Sequence, residues 1–421
     1  MTFHYFVVLS LLCSLMTVNS QCISANDIAV NETNIGAATR NLLDGSAHFS
    51  FDLFRTLQTD NAVDKHPSGM FFSPFSIWSS LIVTYMGAKG VTENEMRSVL
   101  GIHNLDKFTT WGAFKSIQSF DQYRPESGSL SSANRVYFQE NTRFKDCIEE
   151  MIRSEIAFVD FENNPEAARE AINAWVEKET NDKIKDLIPS NGISSLTKMI
   201  IANAIYFKES WLQPFNELKT ARRRFTTAER KEIFVNMMQT RGRFLYGKSE
   251  ELNCYALDLP YTGNTLSMTI LLPKNRYRGV RDLAYNLTPN RLRNLLADMY
   301  PREVVAYVPK FKVEDTFELS SVLNKMGLRS LFDPRRVDLS GFTGLREFTV
   351  DSVLHKAFVN VDEKGTEAAA ATAVITSRSA RPLGPATFNA DYPFVFFIRD
   401  SISNVILFIG TVQNPPEVDK E

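Results

Sequence analysis

Large apolar residues recur along this chain with two distinct periods. Phe49, Leu53, Phe54 and Leu57 fall on one face of a helix, after a polar stretch from Ser24 to Arg40. The clearest helix lies in NNPEAAREAINAWVEKETNDKIKDLI. There Asn164 caps, Pro165 takes the first helical position, and Ala168, Ala171, Ile172, Trp175 and Val176 form one apolar face. Later segments change period. LSMTILLP follows the turn signal Thr262-Gly263-Asn264, and EVVAYVPKFKV is rich in β-branched and aromatic residues. Two further runs, Phe394 to Ile398 and Val405 to Val412, are joined by a short polar turn. Continuous apolar strands of this kind are buried on both faces. Helices cluster early and strands late, without regular alternation, so the pattern predicts an α+β fold. No internal repeat and no long linker interrupts it.

One stretch fits neither period. From Gly365 to Val374 the chain reads GTEAAAATAV, with no large side chain in ten residues. As a helix it has good propensity but no large apolar stripe to bury. As a linker it lacks the Gly, Ser, Pro and charge that keep a segment disordered. As a strand, alternate residues Thr366, Ala368, Ala370, Thr372 and Val374 are small enough to pass beneath a formed sheet, with Glu367 on the opposite face and Gly365 as a backbone hinge. On composition alone that third reading is the minority one.

Composition narrows the class. The 421 residues are 44% hydrophobic and include 31 Phe, enough for a large core. Lys and Arg number 47 against 49 Asp and Glu, a formal charge of -2, which speaks against a nucleic-acid or membrane-surface protein. The apolar run from Phe6 to Val18, ending in Val18-Asn19-Ser20, predicts a signal peptide over residues 1–20 and a secreted, extracellular product. The run is too short to span a bilayer. A polar leader at 21–46 follows. With Cys13 removed, Cys22, Cys147 and Cys254 remain, leaving open one bridge plus a free thiol or three unpaired cysteines. Sequons at Asn31 and Asn286 are candidate glycosylation sites, the second followed by Pro289.

Catalytic and metal signatures are missing. There is no nucleophile elbow, no H-E-x-x-H, no dinucleotide or phosphate loop, and no C-x-x-C, so no enzyme activity, cofactor or metal is expected. Basic residues bunch between Lys219 and Phe244, which suggests either a patch for an anionic polysaccharide or a solvated turn region. Glu229 and Glu232 interrupt the run and favour the turn.

Five separated blocks, in order, resemble the serpins, the serine protease inhibitor family. They are FFSPFSIWSSLIVTYMGAKG (Phe71 to Gly90), NAIYFKESWLQPF (Asn203 to Phe215), KFKVEDTFELSSVLNKMGLRSLF (Lys310 to Phe332), HKAFVNVDEKGTEAAAATAV (His355 to Val374) and DYPFVFFIRD (Asp391 to Asp400). The resemblance covers about residues 47–415. It implies a single domain with about three β-sheets, about nine helices and an exposed reactive-centre loop near 363–387, followed by a tail at 416–421. It implies a monomer whose partner is a target serine protease. The protease attacks the loop as a substrate and forms an acyl-enzyme; the cut loop then inserts into the main sheet before water can release it.

Carried over by resemblance, the hinge comprises Glu363, Lys364, Gly365, Thr366, Glu367, Ala368, Ala369, Ala370, Ala371 and Thr372. Ser73, Ser76, Asn203 and His355 match the place where the sheet opens, with His355 donating across strands that must part. Trp211 and Glu363 match the upper end where insertion begins. Two cues place the cut differently. Counting from Gly365 as in most inhibitory serpins gives Ser379-Ala380, which suits an elastase-like protease. Arginine chemistry gives Arg378-Ser379, which suits a trypsin-like one and is preferred here. Arg381 is disfavoured because Pro382 follows. A non-inhibitory carrier or chaperone is the competing class; such members lose the small hinge residues, and this hinge keeps them.

Overall fold

The computed structural model describes residues 32–59, 68–122, 130–366 and 384–418. The signal segment, Cys22, Asn31, hinge residues Glu367 to Thr372 and both scissile-bond assignments lie outside the described residues. The described residues run in the order α1 (Glu32–Thr59), β1 (Gly69–Phe72), α2 (Pro74–Gly87), α3 (Gly90–Leu100), α4 (Lys107–Gln122), β2 (Leu130–Gln139), α5 (Asp146–Ile152), β3 (Ile156–Val159), α6 (Pro165–Glu179), β4 (Met199–Phe207), β5 (Glu209–Ser210) and β6 (Ala221–Thr226). There follow β7 (Glu232–Ser249), β8 (Cys254–Pro260), β9 (Leu266–Pro273), α7 (Gly279–Asn286), α8 (Pro289–Asp298), β10 (Tyr300–Pro309), β11 (Phe311–Glu318), α9 (Ser320–Met326), α10 (Ser340–Thr343), β12 (Ser352–Val361), β13 (Gly365–Thr366), β14 (Ala386–Asn389), β15 (Phe394–Asp400) and β16 (Ile406–Val412).

Hydrogen bonding groups the strands into two sheets. The main sheet has the order β3-β2-β4-β12-β13-β5, with β11 also on β12. The other has nine strands, β1-β16-β15-β9-β8-β7-β10-β14, with β6 on β7. The 18-residue β7 carries β6 and β10 along most of its length and β8 at its end, so it fuses the second and third of the three expected sheets. Ten α-helices stand among the described residues, where the resemblance implied about nine.

Burial follows from strand alternation. On β4, Met199, Ile201 and Ile205 face the helices and the nine-stranded sheet, while Ile200, Ala202, Ala204 and Tyr206 meet α6 through Ala168, Ile172 and Val176. Both faces of β4 are therefore covered and every one of its residues is buried, whereas β11 alternates buried and exposed positions. EVVAYVPKFKV divides at Lys310 into β10 and β11, one strand in each sheet.

Three expectations change. The polar leader does not extend to residue 46, because α1 begins at Glu32 and buries Ala38 and Leu42, which continue the Phe49 stripe by three turns. Helix α6 stops at Glu179, where Asn181 and Asp182 take positive φ, and Ala171 faces solvent; Asn173 instead fills that face and pins the backbone of Ile188 in both directions. The basic run is not a turn: Arg222, Arg223 and Arg224 lie exposed on β6, and only residues 227–231 connect it to β7. Cys147 is disulfide-bonded and Cys254 is a free, buried thiol whose pKa burial pushes up to about 12. No helix among the described residues is long and apolar enough to cross a membrane.

Candidate functional site

The main sheet contains a directional anomaly at its centre. Strands β4 and β12 are parallel neighbours, paired from Ile200–Ser352 to Tyr206–Phe358. Above that stretch a two-residue strand, β13, lies between β12 and β5 and runs antiparallel to both. Gly365 pairs with Ser210, and Thr366 pairs with Glu209 on one side and Val361 on the other. A chain continuing from Thr366 in the same direction would satisfy the edges of β4 and β12 with antiparallel ladders, once those strands separate.

Local chemistry fixes this start. At Gly365 the backbone has φ 155°, and a Cβ would lie 2.2 Å from the Glu209 carbonyl oxygen, so only glycine fits. Thr366 is fully buried, with its hydroxyl 3.1 Å from the Tyr261 hydroxyl. The indole of Trp211 stacks on Tyr261 at 4.5 Å and 10°. Its Nε1 donates to the Asp362 carbonyl at 3.0 Å, and its backbone N–H donates to the Lys364 carbonyl at 3.0 Å. Glu363 accepts from Thr220 Oγ1 at 2.6 Å and from Lys310 Nζ at 2.7 Å. Burial alone would raise the Glu363 pKa, but these two donors outweigh it and hold the carboxyl below its usual range.

Lower in the sheet a polar row crosses three strands. Asn134, Asn203 and His355 are register partners on β2, β4 and β12. Ser73 caps α2 by accepting from the Ser76 N–H, and Ser76 Oγ donates to Asn134 Oδ1. Ser80 Oγ donates to Asn203 Oδ1 at 2.5 Å. The backbone N–H of Ser73 donates to His355 Nε2 at 3.0 Å. His355 therefore accepts through Nε2 rather than donating across the strands, and its Nδ1 has no partner among the described residues. Ser73, Ser76, Asn203 and His355 lie together; Trp211 belongs to the hinge end. Sequence reasoning missed Ser80, Asn134, Tyr261, Thr220 and Lys310. Only Ser80 carries a local signal, one helical turn beyond Ser76.

His355 is buried, and burial pushes its pKa down to about 3. In the unfolded chain a histidine titrates near 6.5. The folded state thus excludes a proton that the unfolded state binds, so stability is complete above about pH 6.5 and falls as pH drops toward 3. The loss is about 2 kcal/mol between pH 7 and pH 5. His355→Gln keeps an acceptor for the Ser73 N–H but cannot titrate there. Urea midpoints at the two pH values should fall less in that variant than in the parent; equal falls would refute the assignment.

The remaining candidates are scattered. Asn286, at the end of α7, donates to the Asp282 carbonyl at 2.8 Å, and Thr288 caps α8 by accepting from the Arg291 N–H. No group of three or more potential metal ligands is assembled among the described residues.

Residues 44–415 match the model of the family described as Serpin (serine protease inhibitor). The leukocyte elastase inhibitor of Equus caballus is 36% identical over 381 residues, covering 88% of this chain and 98% of that protein. The leukocyte elastase inhibitor of Homo sapiens is 34% identical, over 89% and 99%. Among solved structures, uncleaved ovalbumin has a TM-score of 0.76 at 26% identity, covering 89% of this chain and all of that one. Serpin48, described as a highly specific serpin of the insect Tenebrio molitor, has a TM-score of 0.75 at 28% identity, over 89% and 98%. The chain belongs to the serpin family and is a protease inhibitor by class, with a target serine protease as the partner that class implies.

Proposed function

We propose that the protein is an extracellular suicide-substrate inhibitor of an elastase-like serine protease, cut at Ser379-Ala380. The observation that carries this reading is β13, two hinge residues already running antiparallel between β12 and β5. The protease serine attacks the Ser379 carbonyl carbon, the peptide bond breaks, and the amine of Ala380 leaves with the proton donated by the protease histidine. An ester then links Ser379 to the enzyme. The freed arm, led by Thr366, extends β13 between β4 and β12 and carries the tethered enzyme away before water can hydrolyse the ester.

The names of the relatives at 34–36% identity support an elastase-like target, as does the residue count from Gly365. A small specificity pocket accepts serine. One observation favours a second reading: Arg378 stands immediately before Ser379 and suits the acidic pocket of a trypsin-like protease. Secretion is supported by the apolar run at 6–18 and by the Cys147 disulfide, a bond typical of oxidising compartments. An anionic polysaccharide as a further partner has weaker support in the exposed β6 arginines.

Incubation with pancreatic elastase, and separately with trypsin, followed by a denaturing gel and mass spectrometry, tests the reading. With elastase we expect a complex that survives denaturant and a released fragment beginning at Ala380. A complex with trypsin alone, releasing a fragment that begins at Ser379, would select the second reading. Full cleavage by both enzymes without a complex would leave a non-inhibitory carrier or chaperone.

A further inference from the structure

We propose that the Asn191-Gly192 step, in the connection between α6 and β4, is a site of spontaneous deamidation, where Asn191 becomes an isoaspartyl residue and loosens the layer that covers β4. The inference does not depend on the inhibitory reading and concerns different residues.

The reaction needs a free side-chain amide, an unhindered backbone nitrogen beside it, and water. Asn191-Gly192 is the only Asn-Gly pair in the 421 residues. Both residues are exposed, and the Asn191 amide has no hydrogen-bond partner among the described residues. Glycine has no Cβ to block the approach of its nitrogen. The Gly192 nitrogen attacks Asn191 Cγ and a C–N bond forms. The side-chain nitrogen leaves as ammonia, taking the proton that Gly192 gives up. Water then opens the cyclic imide. Opening at the Asn191 main-chain carbonyl carbon leaves a peptide that runs through Cβ and a free α-carboxylate; opening at Cγ gives ordinary aspartate. Water is the only co-reactant.

The fold demands the glycine and holds the step between two anchors. Gly192 N–H donates to the Pro189 carbonyl at 2.9 Å, closing a turn in which Asn191 takes φ 64°. A Cβ on Gly192 would lie 2.8 Å from Ile188 Cγ2 and 2.9 Å from the Pro189 carbonyl oxygen, so a side chain there would force the turn apart. That hydrogen bond must open before the nitrogen can attack, and an opening confined to an exposed turn costs little. On one side Ile188 is fully buried; its carbonyl accepts from Asn173 Nδ2 at 2.9 Å and Arg169 Nη1 at 3.2 Å, and its N–H donates to Asn173 Oδ1 at 2.9 Å. On the other side Ile193 is buried in the same apolar layer as Ile200 and Ala202 of β4. An isoaspartyl link adds one backbone carbon and one negative charge between these anchors. A span fixed at both ends is strained by the added length. Ile193, at 9% exposure and without the polar clamps of Ile188, is the anchor that gives first.

The test ages the native full-length protein at body temperature and mildly alkaline pH. Isoaspartyl methyltransferase with labelled S-adenosylmethionine then marks isoaspartate, and peptide mapping locates the label. We expect label to appear first in the peptide that contains Asn191, together with a more acidic charge variant of the whole protein. Asn191→Gln, whose longer side chain must close a larger and slower ring, should lose both. Amide hydrogen exchange across residues 184–197 should be faster in the aged parent than in the fresh one, and should not change when Asn191→Gln is aged. The thermal unfolding midpoint of the fresh variant serves as a folding check; if Asn191→Gln fails it, the parent's own map and exchange time course decide. An intact Asn191 while other asparagines take up label overturns the site. A labelled Asn191 with unaltered exchange at 184–197 overturns its effect on the cover of β4. Neither readout involves a protease, so both stand apart from any failure of the inhibitory reading.

Discussion

Replacing Thr366 with glutamate is expected to turn the protein from a trap into a substrate. Thr366 is fully buried between β12 and β5, its hydroxyl touches Tyr261, and its register partner is the buried Glu209. A carboxylate there would be desolvated beside a like charge. In the uncut protein it can escape by lifting β13 into solvent, so its cost falls on the inserted state, where residue 366 must return to the core. An uncompensated buried charge costs about 3–5 kcal/mol. Each 1.4 kcal/mol slows a step about tenfold. Even half of that penalty would slow insertion by more than about tenfold and let hydrolysis of the acyl-enzyme win. The measurable result is a stoichiometry of inhibition that climbs steeply, with cleavage intact and the denaturant-stable band lost. Thr366→Ser, which keeps the hydroxyl, should behave as the parent. An unchanged stoichiometry in Thr366→Glu would mean that residue 366 does not travel into the sheet.

How much of this was legible in the sequence depended on distance along the chain. Strands β9, β15 and β16 were readable because each is buried on both faces along nearly its whole length and so is mostly apolar. Helix α6 was readable at its start, where Pro165 takes the first helical position, although Asn164 stands at the N-cap without a side-chain capping bond and donates to Asp160 instead. It was misread at its end, where the stop comes from backbone geometry at Asn181 and Asp182. The β6 arginines looked like a turn because an edge strand with one solvent face carries no apolar run. In the site, the absence of large side chains after Gly365 was visible, and so was the glycine itself. The partners of the hinge were not. Tyr261 lies 105 residues from Thr366, and Thr220 lies 143 from Glu363. Neither pairing leaves a mark in any short window. The direction of the His355 hydrogen bond was equally hidden, since burial and the Ser73 amide decide which ring nitrogen accepts.

The Glu363 anchor leads to a different failure of the same sheet. Its carboxylate joins Lys310 at 2.7 Å and Thr220 at 2.6 Å, and its carbonyl accepts from the Phe215 N–H at 2.8 Å, so one residue ties β12 and the hinge to the segment after β5. Glu363→Lys sets two ammonium groups where an ion pair stood. Because Lys310 is 39% exposed, screening reduces the penalty to about 2 kcal/mol. The global loss is modest, but it is concentrated where β12 and β5 diverge, and it should favour an open gap between β4 and β12. Two unsatisfied strand edges in that gap would accept a strand of the right direction from any source, including the hinge of a second molecule. Held just below its unfolding temperature, Glu363→Lys should therefore convert to a ladder of oligomers at a rate that rises with concentration, while the parent stays monomeric on size exclusion. A synthetic peptide TEAAAATAVITSR, copied from Thr366 to Arg378, should fill the gap and suppress the ladder. Oligomers that form equally well in excess peptide would show that they arise elsewhere, from general unfolding rather than from a vacant place in the main sheet.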